Sequence, residues 1–167
     1  MDALEALSSE HRLIESVLDA LDAYVAGDRA AAEDLPRFVE FFRDYADKKH
    51  HAKEEDILFE AMCNNGFPRG AGPVAVMLHE HNQGREWVDK LAAGQDVTAS
   101  AHGFTSLLRP HIQKEDNVLY QMARTRLPPQ VLAQVNEQCA ARDREHAERG
   151  ETARLEALAA ELTQRYG

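Results

Sequence analysis

HHAKEEDILF, residues 50–59, and HIQKEDNVLY, residues 111–120, are two copies of one motif set sixty-one positions apart. Each opens on a histidine, continues through a Lys-Glu-acid cluster and closes on an apolar and aromatic tail. Within each copy a histidine precedes a glutamate by four residues, as His50 precedes Glu54 and His111 precedes Glu115. On a helix that spacing turns through about 400°, so the two side chains lie about 40° apart on one face. The neighbours identify the face. Leu108, His111, Glu115, Val118 and Met122 form one stripe, and Val39, Phe42, Ala46, His50, Glu54, Ile57 and Ala61 form another. Both histidine-glutamate pairs are therefore expected to point into an apolar interior.

The same period extends outward from the motif. Leu4, Leu7, His11, Ile14, Leu18, Leu21 and Val25 predict a first helix, ended by Gly27-Asp28. A second helix is predicted from about Asp34, with Pro36 in its first turn, to about Cys63. NNGFPRGAGP, residues 64–73, is turn chemistry. A third helix runs from about Val74 to Ala92, its inner line passing through Met77 or Leu78, His81, Gly84, Val88 and Leu91. After the loop AGQDVTAS, the fourth spans about Ala99 to Arg126 and stops before Pro128-Pro129. Pro110 marks a kink or an earlier break in it. Residues 130–166 read as one or two more helices with a weak point at Gly150. The aromatic run FVEFF, residues 38–42, reads as core.

The duplication reaches beyond the opening motif. EHRLIESVLDAL, residues 10–21, aligns with EHNQGREWVDKL, residues 80–91, through the Glu-His pair, Asp19 with Asp89 and Leu21 with Leu91. Helices one and two thus resemble helices three and four as pairs, an approximate internal two-fold. The expected fold is all-α: one domain over residues 1–167, an antiparallel up-down four-helix bundle over about 2–126, and a C-terminal helical extension over about 129–166 packed outside or at one end.

Composition narrows the function. With 29 acidic against 19 basic side chains, the formal net charge is -10. That balance argues against nucleic acid and against an anionic membrane surface as partners. No apolar run approaches the roughly 20 residues of a membrane helix, and the N-terminus lacks the features of a secretory signal. Cys63 and Cys139 form no CxxC, so neither a disulfide framework nor a thiolate zinc site is expected, and they read as small buried side chains. A cytoplasmic setting is the expectation.

Four inward histidines, His11, His50, His81 and His111, and two inward glutamates, Glu54 and Glu115, are costly in a dry interior. An ionised carboxylate out of water costs several kcal/mol unless paired or metal-bound, against a total stability of about 5–15 kcal/mol. Imidazole with carboxylate suits iron, manganese or zinc, and carboxylates bridge pairs of ions. Two bridging glutamates with two histidines per ion would give each metal four protein ligands, leaving positions for a bridging oxygen and a small external molecule.

Over roughly residues 5–125 the chain resembles the hemerythrin-like (HHE cation-binding) proteins. The pattern is a histidine on helix one, HxxxE on helix two, a histidine on helix three and HxxxE on helix four. The resemblance implies two iron ions, oxo- or hydroxo-bridged, that meet dioxygen, nitric oxide or peroxide, with manganese or zinc as substitutes. By position it assigns the ligand places to His11, His50, Glu54, His81, His111 and Glu115. Oxygen-carrying hemerythrins have a second histidine one turn after the helix-three ligand, where this chain has Arg85. They also use an aspartate five residues after the helix-four histidine, a spacing at which Asp116 stands, although the match with the helix-two copy favours Glu115.

His51, 100° around the helix from His50, either flanks the site or packs between helices. Glu10 and Glu80, just before His11 and His81, either coordinate, orient a ligand from outside, or are ordinary boundary acids. Glu55 and Asp116 read as partners of Lys53 and Lys114 or as solvated. Gly84 either makes room for a small ligand or allows close helix packing, and Arg85 either faces that room or forms a surface salt bridge. Trp87, Tyr45 and Tyr120 read as core or interface aromatics, with hydrogen bonding at the metal as the alternative for a tyrosine. His79 and His102 read as surface residues. A ferritin-like iron-oxidising site would need Glu-x-x-His, which precedes none of the 8 histidines. Two functions remain: a di-iron protein of redox defence or gas sensing, or an iron- or oxygen-responsive module without turnover. Whether turnover occurs, and which protein partner reads the chain, is left open.

Overall fold

A computed structural model describes residues 1–27 and 31–167, and among these the chain is a helical bundle without strands. Helix α1 (Ala3–Ala26) is started by a capping box in which Asp2 accepts from the Glu5 amide and Glu5 accepts from the Asp2 amide. It ends at Gly27, where the backbone turns extended, and the Asp28 half of the expected stop lies outside the described residues. Helix α2 covers residues 34–63, α3 is Gly72–Ala92, and α4 covers residues 97–126. Helix α5 (Pro129–Glu148) and helix α6 (Glu151–Tyr166) are separated at Gly150, whose φ of 75° is the left-handed conformation that glycine adopts without steric cost. The expected weak point is therefore a real break. Pro110 is not one, since the α-helix runs through it from Val97 to Lys114.

Helices α2 and α4 are not α-helical throughout. Glu54–Leu58 and Glu115–Leu119 are π-helical, as is the longer stretch Phe42–His51. In the two short stretches the carbonyls of Glu54 and Glu115 accept from the amides of Phe59 and Tyr120, five residues on. A π turn holds more residues than an α turn, so the inward stripe shifts by one position beyond it. This corrects the sequence stripe of α4. Val118 is 52% exposed, whereas Leu119, Tyr120 and Ala123 are buried and Met122 lies only partly buried.

The apolar interior forms two clusters. Along α1, residues 3–7 belong to one and 14–24 to the other; along α2 the order reverses, 38–46 then 57–62. Along α3 it reverses again, Val74 and Met77 then Val88 and Leu91, and along α4 once more, 101–112 then 119–123. Histidines and carboxylates occupy the layer between. The C-terminal segment is more than an outer layer: Leu155, Leu158, Ala159 and Leu162 of α6 share a cluster with α1 and α2. Buried Asp34 ties its end down, accepting from Arg165 at 2.7 Å and from the Tyr166 hydroxyl at 2.5 Å. Phe38, Phe41 and Phe42 are core, as expected. Cys139 is buried and Cys63 only partly so, and both are free thiols. No helix among the described residues is long and apolar enough to cross a membrane.

Candidate metal centre

Helices α1 to α4 each deliver residues to the layer between the apolar clusters. Two groups of donors form there: His51, Glu54, His81 and His111, and His11, His50, Glu54 and Glu115. Within each group one atom from every residue lies within 4.8 Å of the others, and all seven residues are buried. Glu54 belongs to both. Its Oε1 is 3.2 Å from His50 Nε2 and 4.0 Å from His11 Nε2, while its Oε2 is 3.2 Å from His81 Nε2. Glu115 Oε1 lies 2.9 Å from His111 Nε2 and 3.4 Å from His11 Nε2. The Nε2 atoms of His81 and His111 face each other at 3.2 Å.

Each of the five histidines turns its other nitrogen outward to a carboxylate. The pairs are His11 with Asp116 at 2.8 Å, His50 with Glu10 at 2.9 Å, His51 with Asp47 at 3.2 Å, His81 with Glu55 at 2.7 Å and His111 with Glu80 at 3.0 Å. A carboxylate on Nδ1 fixes the ring and leaves Nε2 as the inward donor, the arrangement that metal-ligating histidines use. A cation then holds each carboxylate: Arg12 on Asp116, Lys49 and Lys53 on Glu10, Arg85 on Asp47 and Glu55, and Lys114 on Glu80.

These pairings settle several alternatives. Glu10 and Glu80 orient His50 and His111. Asp116 holds His11, and Glu55 holds His81; neither serves a neighbouring lysine, contrary to the sequence reading, because both sit beside an imidazole from another helix. Arg85 forms a salt bridge, donating to Asp47 through Nε at 3.0 Å and Nη2 at 2.8 Å, and to Glu55 at 2.6 Å. A Cβ at Gly84 would meet the Phe104 ring at 3.6 Å, an ordinary van der Waals contact, so close packing does not require glycine there. His51 turns inward because it ends the long π-helical stretch, a widening invisible to a count in steps of 3.6 residues. Asp47 and Lys49 were not singled out by the sequence, and Lys53 was read only as a partner of Glu55, although Asp47 stands four before His51, a helical pairing distance. His79 and His102 are exposed, as expected.

The charges suit a cation. Among the described residues, His50 Nε2, Glu54 Oε2 and both carboxylate oxygens of Glu115 are buried without a hydrogen-bond partner. They approach neighbours closely but out of hydrogen-bonding alignment, as groups aimed at a shared point do. Burial favours neutral imidazole, yet the Glu54 and Glu10 carboxylates overcome it at His50 and raise its pKa to about 10. At His81 burial is likewise outweighed by Glu54 and Glu55, raising it to about 9. His51 moves the opposite way, pushed down to about 3 by burial and by the charge of His81. Burial opposes ionisation of Glu54, but the charges of His50 and His81, each 3.2 Å away, hold its carboxyl well below the usual range. Glu115 is also lowered, its burial and the neighbouring Glu54 being outweighed by His111 and His11. Cations entering this layer would replace the imidazole protons as the charges that balance the glutamates.

Two aromatic rings cover the donors. Tyr120 stacks on His11 with centroids 5.6 Å apart and donates its hydroxyl to Glu54, and Phe59 stacks on His81 at 5.8 Å. Burial, with the charges of Glu115 and Glu54, holds the Tyr120 phenol well above its usual pKa, so it remains a donor. On the His51–His81 side a cavity of 490 Å³ opens, lined by Phe42, Ala46, His51, His81, Arg85 and Phe104 among others.

No curated protein and no solved structure matches the chain. The family model of the hemerythrin HHE cation-binding domain matches residues 2–123, which carry both donor groups in full. The chain belongs to the hemerythrin HHE cation-binding domain family.

Proposed function

We propose that the chain holds two iron ions, one in each donor group, and uses them to bind or react with a small oxidant, dioxygen, nitric oxide or peroxide, in redox defence or sensing. The observation that carries this reading is the position of Glu54, whose two oxygens face different donor groups across a distance that one carboxylate bridges. An iron pair supplies electrons and an open coordination position to such an oxidant. The protein's part is to hold the imidazoles through their outer carboxylates, to exclude water with Phe59 and Tyr120, and to offer the phenol of Tyr120 as a hydrogen-bond donor at the shared carboxylate. The cavity beside His51 and His81 favours entry of the oxidant from that side. The reversal of cluster order from each of α1 to α4 to the next supports the antiparallel up-down topology. The free thiols agree with a reducing, cytoplasmic setting.

The four unpartnered buried atoms favour a second reading on the same site. A metal-free interior of this kind costs stability, so ion occupancy is coupled to folding, and a partner protein could read that coupling without turnover.

Protein prepared anaerobically with iron is expected to bind about two ions per chain, one for each donor group, and to change its absorption when peroxide is added. Absence of bound metal after such loading overturns both readings. Metal bound with a spectrum indifferent to dioxygen, nitric oxide and peroxide overturns the first alone. Loading with manganese or zinc in competition identifies the preferred ion.

A further inference from the structure

Two lysines lie buried in the outer wall of the site. Lys53 is 2% exposed and Lys49 8%, and they flank His50 and Glu54 in sequence. Buried ammonium groups persist only where carboxylates face them. One partner is Glu10, which both lysines contact and which holds His50 Nδ1. The other comes from α5: Asp143 lies 2.8 Å from Lys53 Nζ and 3.3 Å from Lys49 Nζ. Asp143 stands beyond residue 123, outside the part of the chain that matches the family model.

We infer that Asp143 is a positioning residue for the metal centre, acting through Lys53 and Lys49 on Glu10 and through Glu10 on His50. The inference rests on the proposed role of His50 as a ligand. Two ammonium groups facing Glu10 alone would draw its negative charge away from His50. They would also leave an uncompensated positive charge beside the cation held by His11, His50, Glu54 and Glu115. Asp143 divides the lysines' attention and restores neutrality among these four groups. Glu10 then keeps its pull on the Nδ1–H of His50, and His50 its strength as a donor through Nε2. Among the described residues, the matching chain on the other side has no such addition. Glu80, which holds His111, meets Lys114 alone at 2.5 Å, and Lys114 is 44% exposed, so water rather than a second carboxylate balances it. Helix α5 thus acts on one donor group only.

The test uses the full chain with cobalt(II) as the probe ion, titrated into metal-free wild type, Asp143→Asn, Asp143→Glu and Glu145→Gln, each first verified as helical by circular dichroism. Glu145 lines the same surface cavity as Asp143, and changing it alters the charge equally. The cobalt step of the His11–His50 group is assigned by its loss in Glu115→Ala. In Asp143→Asn that step is expected to weaken about tenfold while the other stays as in wild type. Asp143→Glu should restore it and Glu145→Gln should leave it alone. Equal weakening of both steps, or of neither, overturns the inference. Should wild type bind no cobalt, the imidazole ¹⁵N shift of His50 in the metal-free protein decides the relay, and should it bind no iron either, the proposed function fails. A shift that moves in Asp143→Asn and not in Glu145→Gln supports it, and one unmoved in both overturns it.

Discussion

The half of the site built on HHAKEEDILF and the half built on HIQKEDNVLY share the π turn that begins at each glutamate, although the backbone before it is π-helical through His51 in the first and α-helical through Lys114 in the second. They differ in what hangs on it. His51 in the first copy corresponds to Ile112 in the second; the one joins a donor group, the other the apolar core. Phe59 corresponds to Tyr120, alike in stacking on a histidine, but only the tyrosine reaches Glu54. Lys53 and Lys114 are the same residue under different cover, the first sealed beneath α5 and the second open to water. Duplication therefore supplies a symmetric frame for two donor groups, while single unpaired residues give the two groups different donors and different fields. The centre has unlike ends: three imidazoles with one carboxylate, and two imidazoles with two carboxylates.

The sharpest way to break that comparison is to remove each glutamate in turn. Glu54→Ala is expected to abolish both ions, because both donor groups use it, whereas Glu115→Ala should abolish only the one held with His11 and His50. Metal analysis after iron loading measures this directly, and equal losses from the two variants would return the site to a symmetric description. Next in size is His51→Ile, which installs the residue of the other copy. It removes a donor from the His81–His111 group and should weaken that ion by about 10–100-fold, if the loss is no smaller than that of an outer-shell partner, leaving the other ion in place; competition with a chelator provides the measurement. The smallest effect is expected from Tyr120→Phe, which again copies the other half. Both ions should remain, the absorption of the loaded protein should shift, and the metal-free protein should lose about 1–3 kcal/mol, the usual cost of leaving a buried acceptor unsatisfied. Chemical denaturation of the metal-free form would show it, and an unchanged midpoint would mean that the hydroxyl contributes nothing to holding Glu54.

Much of this centre was legible in the sequence because helical spacing and burial are tightly linked. His11, His50, Glu54, His81, His111 and Glu115 all fall on stripes of apolar residues, and all six prove buried and grouped. What the spacing could not give was the π-helical widening. Three successive apolar residues, Val118, Leu119 and Tyr120, left the phase of α4 undetermined, and the 3.6-residue period chose the wrong one. The same widening carried His51 from the flank of the site into it. The outer carboxylates were only partly legible: Asp47 lies on the same helix as its histidine, but Glu55, Glu80, Glu10 and Asp116 reach across to rings on other helices, a relation that depends on how those helices are rotated. The burial of Lys49 and Lys53 depends on α5, whose sequence carries no trace of the metal motif.

The polar layer also sets how the helices can slide. Each of α1 to α4 brings its imidazoles and carboxylates to one height, with aliphatic side chains above and below. Displacing any one of them by a single turn, about 5.4 Å, would lift its charges out of the shared plane and press them against leucine, isoleucine or phenylalanine. Every misplaced carboxylate would then cost several kcal/mol. Hydrophobic contacts alone tolerate such slippage far better, since one aliphatic residue replaces another. The waist of charge therefore acts as a vernier for the assembly, fixing the axial register of four rods before any cation arrives.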